Sequence, residues 1–215
     1  MLVWFLLSMV YSLGGYSQNM GTITDIDGNI YNTIKIGNKI WMKENLRTKR
    51  YLNGDSISYI MSNKKWSETT EGAWSYYNND TVLAQTYGLL YNYHAVYNWR
   101  GICPWGWHMP SEYEWQQLIM ELEGESRAGG KLKNKDGWKS PNTGADNTSR
   151  FSAIPGGYRN TFGVYDNLGF NAAFWSATQR DENTAWFYIL NNADTRINKV
   201  GGNKNYGMSC RCVKD

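Results

Sequence analysis

Cys103-Pro104-Trp105-Gly106-Trp107-His108-Met109-Pro110-Ser111-Glu112-Tyr113-Glu114-Trp115 carries a cysteine and a set of aromatic residues straight into the start of a helix. Pro110 has its φ pre-set for a first turn, Ser111 is the expected N-cap, and Glu114 closes an S-x-x-E capping box. Trp115, Leu118, Ile119 and Leu122 then form the apolar stripe of a helix expected over residues 112–123. Cys103 stands before that helix, whereas Cys210 and Cys212 lie at the other end of the chain. A bridge from Cys103 to either of them ties the middle of the chain to its tail, as in a closed, secreted domain.

Working outward, residues 2–17 are uncharged, with an apolar centre and small residues near the end. They read as an export signal, with Gly15 and Ser17 suiting a small-x-small cleavage site and Gln18 as the new terminus. The apolar run is too short to span a bilayer comfortably, and no Lys or Arg precedes it. With no cysteine near the cleavage site, a lipid anchor is not expected. The remainder, residues 18–215, contains no Pro/Ser linker and is large enough for one substantial core or two small ones. The net charge of +3 arises from 22 basic and 19 acidic residues spread along the chain, which argues against a nucleic-acid-binding stripe. Aromatic residues make up 15%, led by 16 Tyr and 11 Trp, so the core must be built largely of rings.

Residues 22–31 and 33–42 alternate and are punctuated by Asp27-Gly28 and Gly37-Asn38, which predicts three short antiparallel strands joined by tight hairpins. Asp25, Asp27 and Asn29 imitate the opening of a calcium loop. The bidentate Glu of the twelfth position is replaced by Ile36, so a turn is expected there and not a metal site. Residues 43–86 loosen into Asn, Ser, Gly and Tyr and read as loop, with Trp66 and Trp74 as anchors. Residues 87–99 read as a short strand entering a helix near Asn92. Gly129-Gly130-Lys131-Leu132-Lys133 and Gly137-Trp138 lead into the polar stretch 141–149, which reads as irregular. Residues 151–159 read as an edge-type strand broken at Pro155-Gly156-Gly157. Residues 173–178, 184–190, 195–199 and 207–213 read as a closing antiparallel meander. The fold class that follows is α+β: short antiparallel strands and hairpins, one or two helices, and long loops.

Five blocks in this order resemble the Fibrobacter succinogenes major paralogous domain: residues 25–46 (DIDGNIYNTIKIGNKIWMKENL), 87–93 (YGLLYNY), 103–115 (CPWGWHMPSEYEW), 137–157 and 206–215 (YGMSCRCVKD). The resemblance covers nearly all of the chain after the signal. It implies a C-type-lectin-like fold, distantly related to the formylglycine-generating enzyme and to phage receptor-binding proteins, in an exported protein of the cell surface or surroundings. The family's closing block usually carries an apolar residue where Cys210 stands. The resemblance therefore implies a Cys103–Cys212 bridge, with Cys210 as the odd thiol. From the residues alone, positions 210 and 212 of one strand share a face, so either could meet Cys103, while a bridge between the two would be strained.

The related formylglycine-generating enzyme uses a pair of C-terminal cysteines with a soft metal, and Cys210 and Cys212 offer two sulfurs. If Cys212 is bridged, a single thiolate remains, which is poor copper chemistry. His94 and His108 are the only histidines. His108, between Trp107 and Met109 at the helix entrance, reads as a packed or capping residue, and no nucleophile elbow, zinc, P-loop or dinucleotide pattern occurs. Glu112 and Glu114 diverge on the helix, and Glu114 already has a capping task. Neither catalytic residues nor cofactors are expected, and an enzyme of the formylglycine-generating or glycan-processing type stands as the alternative. Binding has the better basis. Asn191, Asn192, Asp194, Thr195, Asn198, Asn203, Asn205 and Tyr206, with Trp186 beside them, cluster in the last hairpins, where alternation would display them on one side to a glycan or surface-protein ligand. Related lectin-like proteins vary their ligand surface in this region. Neither a Glu-Pro-Asn nor a Trp-Asn-Asp motif is present for calcium-dependent sugar binding, which leaves Asp146 and Asn147 as weak candidates. A structural module of the cell envelope is the third reading.

Overall fold

The computed structural model describes residues 19–215, so the export signal expected over residues 1–17 lies outside them. β1 (Asn19–Thr24), β2 (Ile30–Ile36) and β3 (Lys39–Met42) form the expected antiparallel run. Gly37, at φ 57°, makes the two-residue turn between β2 and β3 with Asn38, a conformation open to glycine without steric cost. The turn at 25–29 is held by side chains. The Asp25 carboxylate accepts the N–H groups of Asp27 and Asn29, both at 2.9 Å, and the Tyr31 hydroxyl at 2.6 Å. Asp27 accepts from the Lys49 N–H at 2.5 Å and from Arg50 Nε at 2.6 Å. Asp25 thereby closes the turn onto β2, and Asp27 ties it to the chain beyond β3.

Residues 43–86 are not the loop expected. They form β4 (Ser58–Tyr59), α1 (Asn63–Glu68), β5 (Ala73–Ser75), a 3-10 turn (Tyr77–Asn79) and α2 (Thr81–Tyr87). Each element is too short to leave a periodicity and is set by a cap or a buried ring. Ser62 Oγ accepts from Lys65 N–H at 3.3 Å and Asp80 from Val82 N–H at 2.8 Å. Trp66 and Trp74 are the buried anchors expected of them. β6 (Leu90–Tyr91) then enters α3 (Tyr93–Val96), whose N-cap is Asn92, as the sequence predicts.

β7 (Trp107–His108) precedes α4 (Glu112–Glu121), in which both halves of the capping box are made, Glu114 N–H to Ser111 Oγ at 3.3 Å and Ser111 N–H to Glu114 Oε2 at 2.9 Å. After Gly124 a second helix, α5 (Glu125–Leu132), occupies a stretch for which no element was expected. Gly129 and Gly130 lower its helix propensity but serve its packing. A Cβ on Gly129 would stand 2.3 Å from the Arg196 carbonyl oxygen, and one on Gly130 2.4 Å from that of Gly144.

The second large sheet holds β8 (Gly156–Arg159), β9 (Tyr165–Leu168), β10 (Asn171–Gln179), β11 (Thr184–Asn191) and β12 (Ile197–Asn203), in the order β12-β11-β10-β8-β9. The meander β10-β11-β12 is as expected. β8 is not an edge strand, because it lies between β10 and β9 and runs parallel to β10. Nor do residues 207–213 add a fourth meander strand. They thread between elements, with bridges from Gly207 to Arg159, Met208 to Tyr91 and Ser209 to Phe174. β13 (Val213–Lys214) then inserts between β3 and β7 to complete the first sheet, β1-β2-β3-β13-β7. Every residue from 207 to 213 is buried, whereas a strand on the outside of a meander would expose alternate side chains. β4, β5 and β6 make a small third sheet.

The fold is therefore α+β and mostly strand, with five short helices among the described residues where one or two were expected. β10 sends Ala173 and Trp175 into one core and Ala172 and Phe174 into another, as period-2 geometry requires. The first core gathers Tyr31, Tyr91, Tyr93, Phe187 and Cys212; the second packs α4 and α5 onto Trp41, Phe151 and Tyr188. Rings carry both, as when Trp115 stacks on Tyr188 at 4.9 Å and meets Trp41 at 5.2 Å.

Candidate ligand-binding surface

The bridge forms between Cys103 and Cys212, and Cys210 is a fully buried free thiol. Burial pushes the Cys210 thiol well above its usual pKa, so it offers no thiolate to a soft metal. Between the two cysteines Arg211 is also buried, its guanidinium 4.2 Å from the Phe151 ring centroid. It donates to the Phe151 carbonyl, to the Ser152 carbonyl at 3.1 Å and to Asn45 Oδ1 at 2.9 Å. Burial pulls its pKa down to about 9.

Of the two roles expected of His108, packed or capping, the structure gives it the second: its side chain is partly exposed and lies between two carboxylates, one of them the capping-box Glu114. Nε2 meets Glu114 Oε1 at 2.8 Å and Nδ1 meets Asp215. Lys39 Nζ reaches the same Glu114 oxygen at 2.9 Å. Burial alone would raise the Glu114 pKa. The Ser111 N–H, Lys39 and His108 overcome it and hold the carboxyl at about 2. The group locks the cap of α4 to the tail of the chain.

The C-terminal residues expected to form one surface are divided. Asn191 ends β11, and Asn192 and Asp194 belong to the turn between β11 and β12. Asn191 Nδ2 donates to Asn171 Oδ1 at 2.9 Å, Asn192 Nδ2 to the Ser140 carbonyl at 3.0 Å, and Asp194 Oδ2 accepts from Arg196 Nε at 2.6 Å. Beneath them the buried Lys133 ammonium donates to the carbonyls of Thr143, Asn191 and Asp194 at 2.8, 3.0 and 2.8 Å. Asn203 closes the other end of β12, a strand of seven residues, or roughly 20 Å, and Asn205 and Tyr206 follow it. Asn205 is tied to the Ser67 carbonyl at 3.0 Å and to His94 at 3.2 Å, and Tyr206 packs on Tyr158. Trp186 is paired with Gly201 and Asn198 with Ile189, which places them on opposite faces of the sheet. Trp186 itself lies between Arg180 and Lys199, whose cationic groups are 5.1 and 4.3 Å from its ring. Only Asn198 and Asn203 of the set are exposed. Asp146 and Asn147 are likewise committed, Asp146 to Thr148 and Asn147 to Ser152.

A different surface lies beside the disulfide, where Trp99 and Trp105 are 87% and 81% exposed and Tyr97 60%. Tyr97 lines a cleft of about 250 Å³ with Leu52, Val96, Asn98, Ile102, Trp107, His108 and Met109, and Trp99 and Trp105 stand on the chain turns that follow Asn98 and Cys103 of that lining. Both turns that carry them are braced. Tyr97 stacks on Tyr93 at 5.7 Å, and Asn98 Oδ1 accepts from Arg100 N–H and Nε at 3.1 and 2.9 Å. Arg100 lies 4.0 Å over the Tyr51 ring and pairs with Asp55 at 3.0 Å. The turn of Trp105 is fixed at Cys103 by the disulfide and at Gly106 by the Asp215 N–H, 3.1 Å away. A signal for these rings was present, because Trp99 falls between Asn98 and Gly101, and Trp105 between Pro104 and Gly106, where turn formers place a side chain outside. A larger hollow, about 440 Å³, between the Gly37 turn and the outer face of α4 is walled by Gln116, Gln117, Glu121 and the Lys39–Glu114 pair.

No curated protein and no solved structure matches the chain. Residues 34–214 match the model of the Fibrobacter succinogenes major domain, and the protein belongs to that family.

Proposed function

We propose that the chain is an exported, non-catalytic binding module on a C-type-lectin-like scaffold, and that it takes a glycan of an extracellular or cell-surface partner at the cleft lined by Tyr97, Asn98 and His108, with Trp99 and Trp105 on the adjoining turns. The observation that carries this reading is the pair of tryptophans held almost wholly in water on braced turns. Tryptophan is highly buried on average, and leaving so large an apolar side chain in water forgoes roughly 2–3 kcal/mol. An indole face stacks on the C–H face of a pyranose, while Asn98 and His108 in the adjoining cleft can read hydroxyl groups. Because the turns are fixed by a disulfide, stacking and ion pairs, little conformational freedom is lost on binding. The C-terminal amides support the reading less well, since most are engaged within the protein.

Export is supported by the disulfide, which persists in oxidising surroundings, and no helix among the described residues is long and apolar enough to cross a membrane. The lectin-like assignment is supported by the way β13 returns to pair with β3, closing the chain around long connections. A glycan array probed with the wild-type chain, Trp99→Ala, Trp105→Ala and Asn198→Ala tests the function. Each tryptophan variant should weaken binding by about 2 kcal/mol, or roughly 30-fold, with Asn198→Ala unaffected. Absence of binding to every glycan, or binding that survives both tryptophan changes, overturns it.

A further inference from the structure

We infer that a second groove, between the 25–29 turn and α2, is a binding site for a single anionic sugar residue, a hexuronate, separate from the tryptophan cleft. The groove has a volume of about 290 Å³, near the lower end for small-molecule pockets and suited to one ring. Leu89, Ala84 and Tyr76 give it an apolar floor and wall, and Arg47 and Lys49 give it two cations. Those cations distinguish it from an ordinary solvated surface. The sequence Arg47-Thr48-Lys49-Arg50 places three basic residues together, yet only Arg50 is neutralised, by Asp27 at 2.6 Å. Neither Arg47 nor Lys49 has a carboxylate within ion-pair distance among the described residues.

The acids of the adjoining elements are engaged elsewhere. Asp25 accepts from Tyr31 and Asn29, and Asp80 caps α2. The Lys49 ammonium rests 5.5 and 5.7 Å from the rings of Trp74 and Tyr76, contacts that position it without cancelling its charge. Tyr59 stacks on Trp74 at 4.5 Å and supports that platform. The Arg47 guanidinium lies over Tyr31 at 5.3 Å and makes one side-chain hydrogen bond, from Nη2 to the Ile30 carbonyl at 3.2 Å. Its Nε–H has no partner among the described residues.

A planar carboxylate suits a guanidinium fork beside an ammonium, and a pyranose face suits the Tyr76 ring. Free phosphate would satisfy the cations and leave the apolar wall unused, which is why a carboxylated sugar fits better. Asn29, Thr81 and Gln85 line the same groove and are placed to meet its hydroxyls.

The test is titration calorimetry of the full chain with galacturonate oligomers, the matching neutral galactose oligomers and inorganic phosphate. Lys49→Gln alone and with Arg47→Gln should weaken galacturonate binding by about tenfold or more, and raising salt from about 0.05 to 0.3 M should weaken it in the wild type. Trp99→Ala should leave it unchanged, so failure of this site and failure of the tryptophan cleft are separable. Lys49 is exposed, so its variant tests the site even if Arg47→Gln does not fold. Equal binding of neutral and acidic oligomers, equal affinity in wild type and Lys49→Gln, displacement by phosphate at equal concentration, or binding of acidic peptides alone overturns the inference.

Discussion

Replacing both bridged cysteines, Cys103→Ala with Cys212→Ala, should remove several kcal/mol of stability from a protein whose other contacts are intact. The bridge closes a separation of 109 residues. In the chain-entropy description a loop of that length loses about 16 cal/mol/K in the unfolded state, which is about 4.8 kcal/mol at 25 °C. That figure is an upper value, because an unfolded chain so rich in Tyr and Trp keeps residual clusters that already restrict it. A loss of about 3–5 kcal/mol is expected, equivalent to roughly 10 °C or more in melting temperature at this size. Guanidinium unfolding of oxidised wild type and the double variant, followed by tryptophan fluorescence and circular dichroism together, gives the midpoint and slope. The slope should rise in the variant, since an uncrosslinked chain exposes more surface on unfolding. Cys210 remains as the sole thiol, so no rearranged bridge within the chain can mask the effect. An unchanged midpoint at unchanged slope would refute the idea that the tail is held by a covalent clasp.

Glu114→Gln should cost about 2–3 kcal/mol at neutral pH, because the carboxyl titrates near 2 in the fold against 4.5 ordinarily. This stability is present above pH 4.5 and disappears as pH falls towards 2, so urea midpoints of wild type and variant should converge at the acid end; a constant gap counts against the Lys39 and His108 pairs. Gly129→Ala should destabilise by about 2–4 kcal/mol despite its better helix propensity, since the new methyl meets the Arg196 carbonyl. A melting temperature equal to or above wild type would show that the α5–β12 approach is looser than described.

What the sequence revealed was local chemistry. The capping box at Ser111 and Glu114, the Gly37-Asn38 turn and the passage from strand to helix near Asn92 are each decided within a few residues, and each appears where expected. α5 was hidden because the reason for Gly129 and Gly130 is the passage of Gly144 and Arg196, distant in the chain. The elements between 43 and 86 escaped because two to seven residues cannot establish a period. Alternation in 207–213 signalled extended backbone and could not say that its partners lie in different sheets. The choice of Cys212 over Cys210 came from family resemblance, since the two side chains look alike from the strand. At the ligand surface, the Asn and Asp residues after β11 were readable as turn formers. Whether an amide faces water or the Ser140 carbonyl is decided by a segment some fifty residues away.

The buried path of residues 207–213 also governs the timetable of folding. Until that segment is in place, β3 and β7 lack the strand that joins them, and Tyr91, Phe174 and Arg159 are each paired on one side only. Contacts of such long range are slow to form and leave aromatic surface uncovered meanwhile. A chain built this way completes its middle only when residues 207–213 are drawn in between elements already made, so its ring-rich cores are closed by the contacts of longest range.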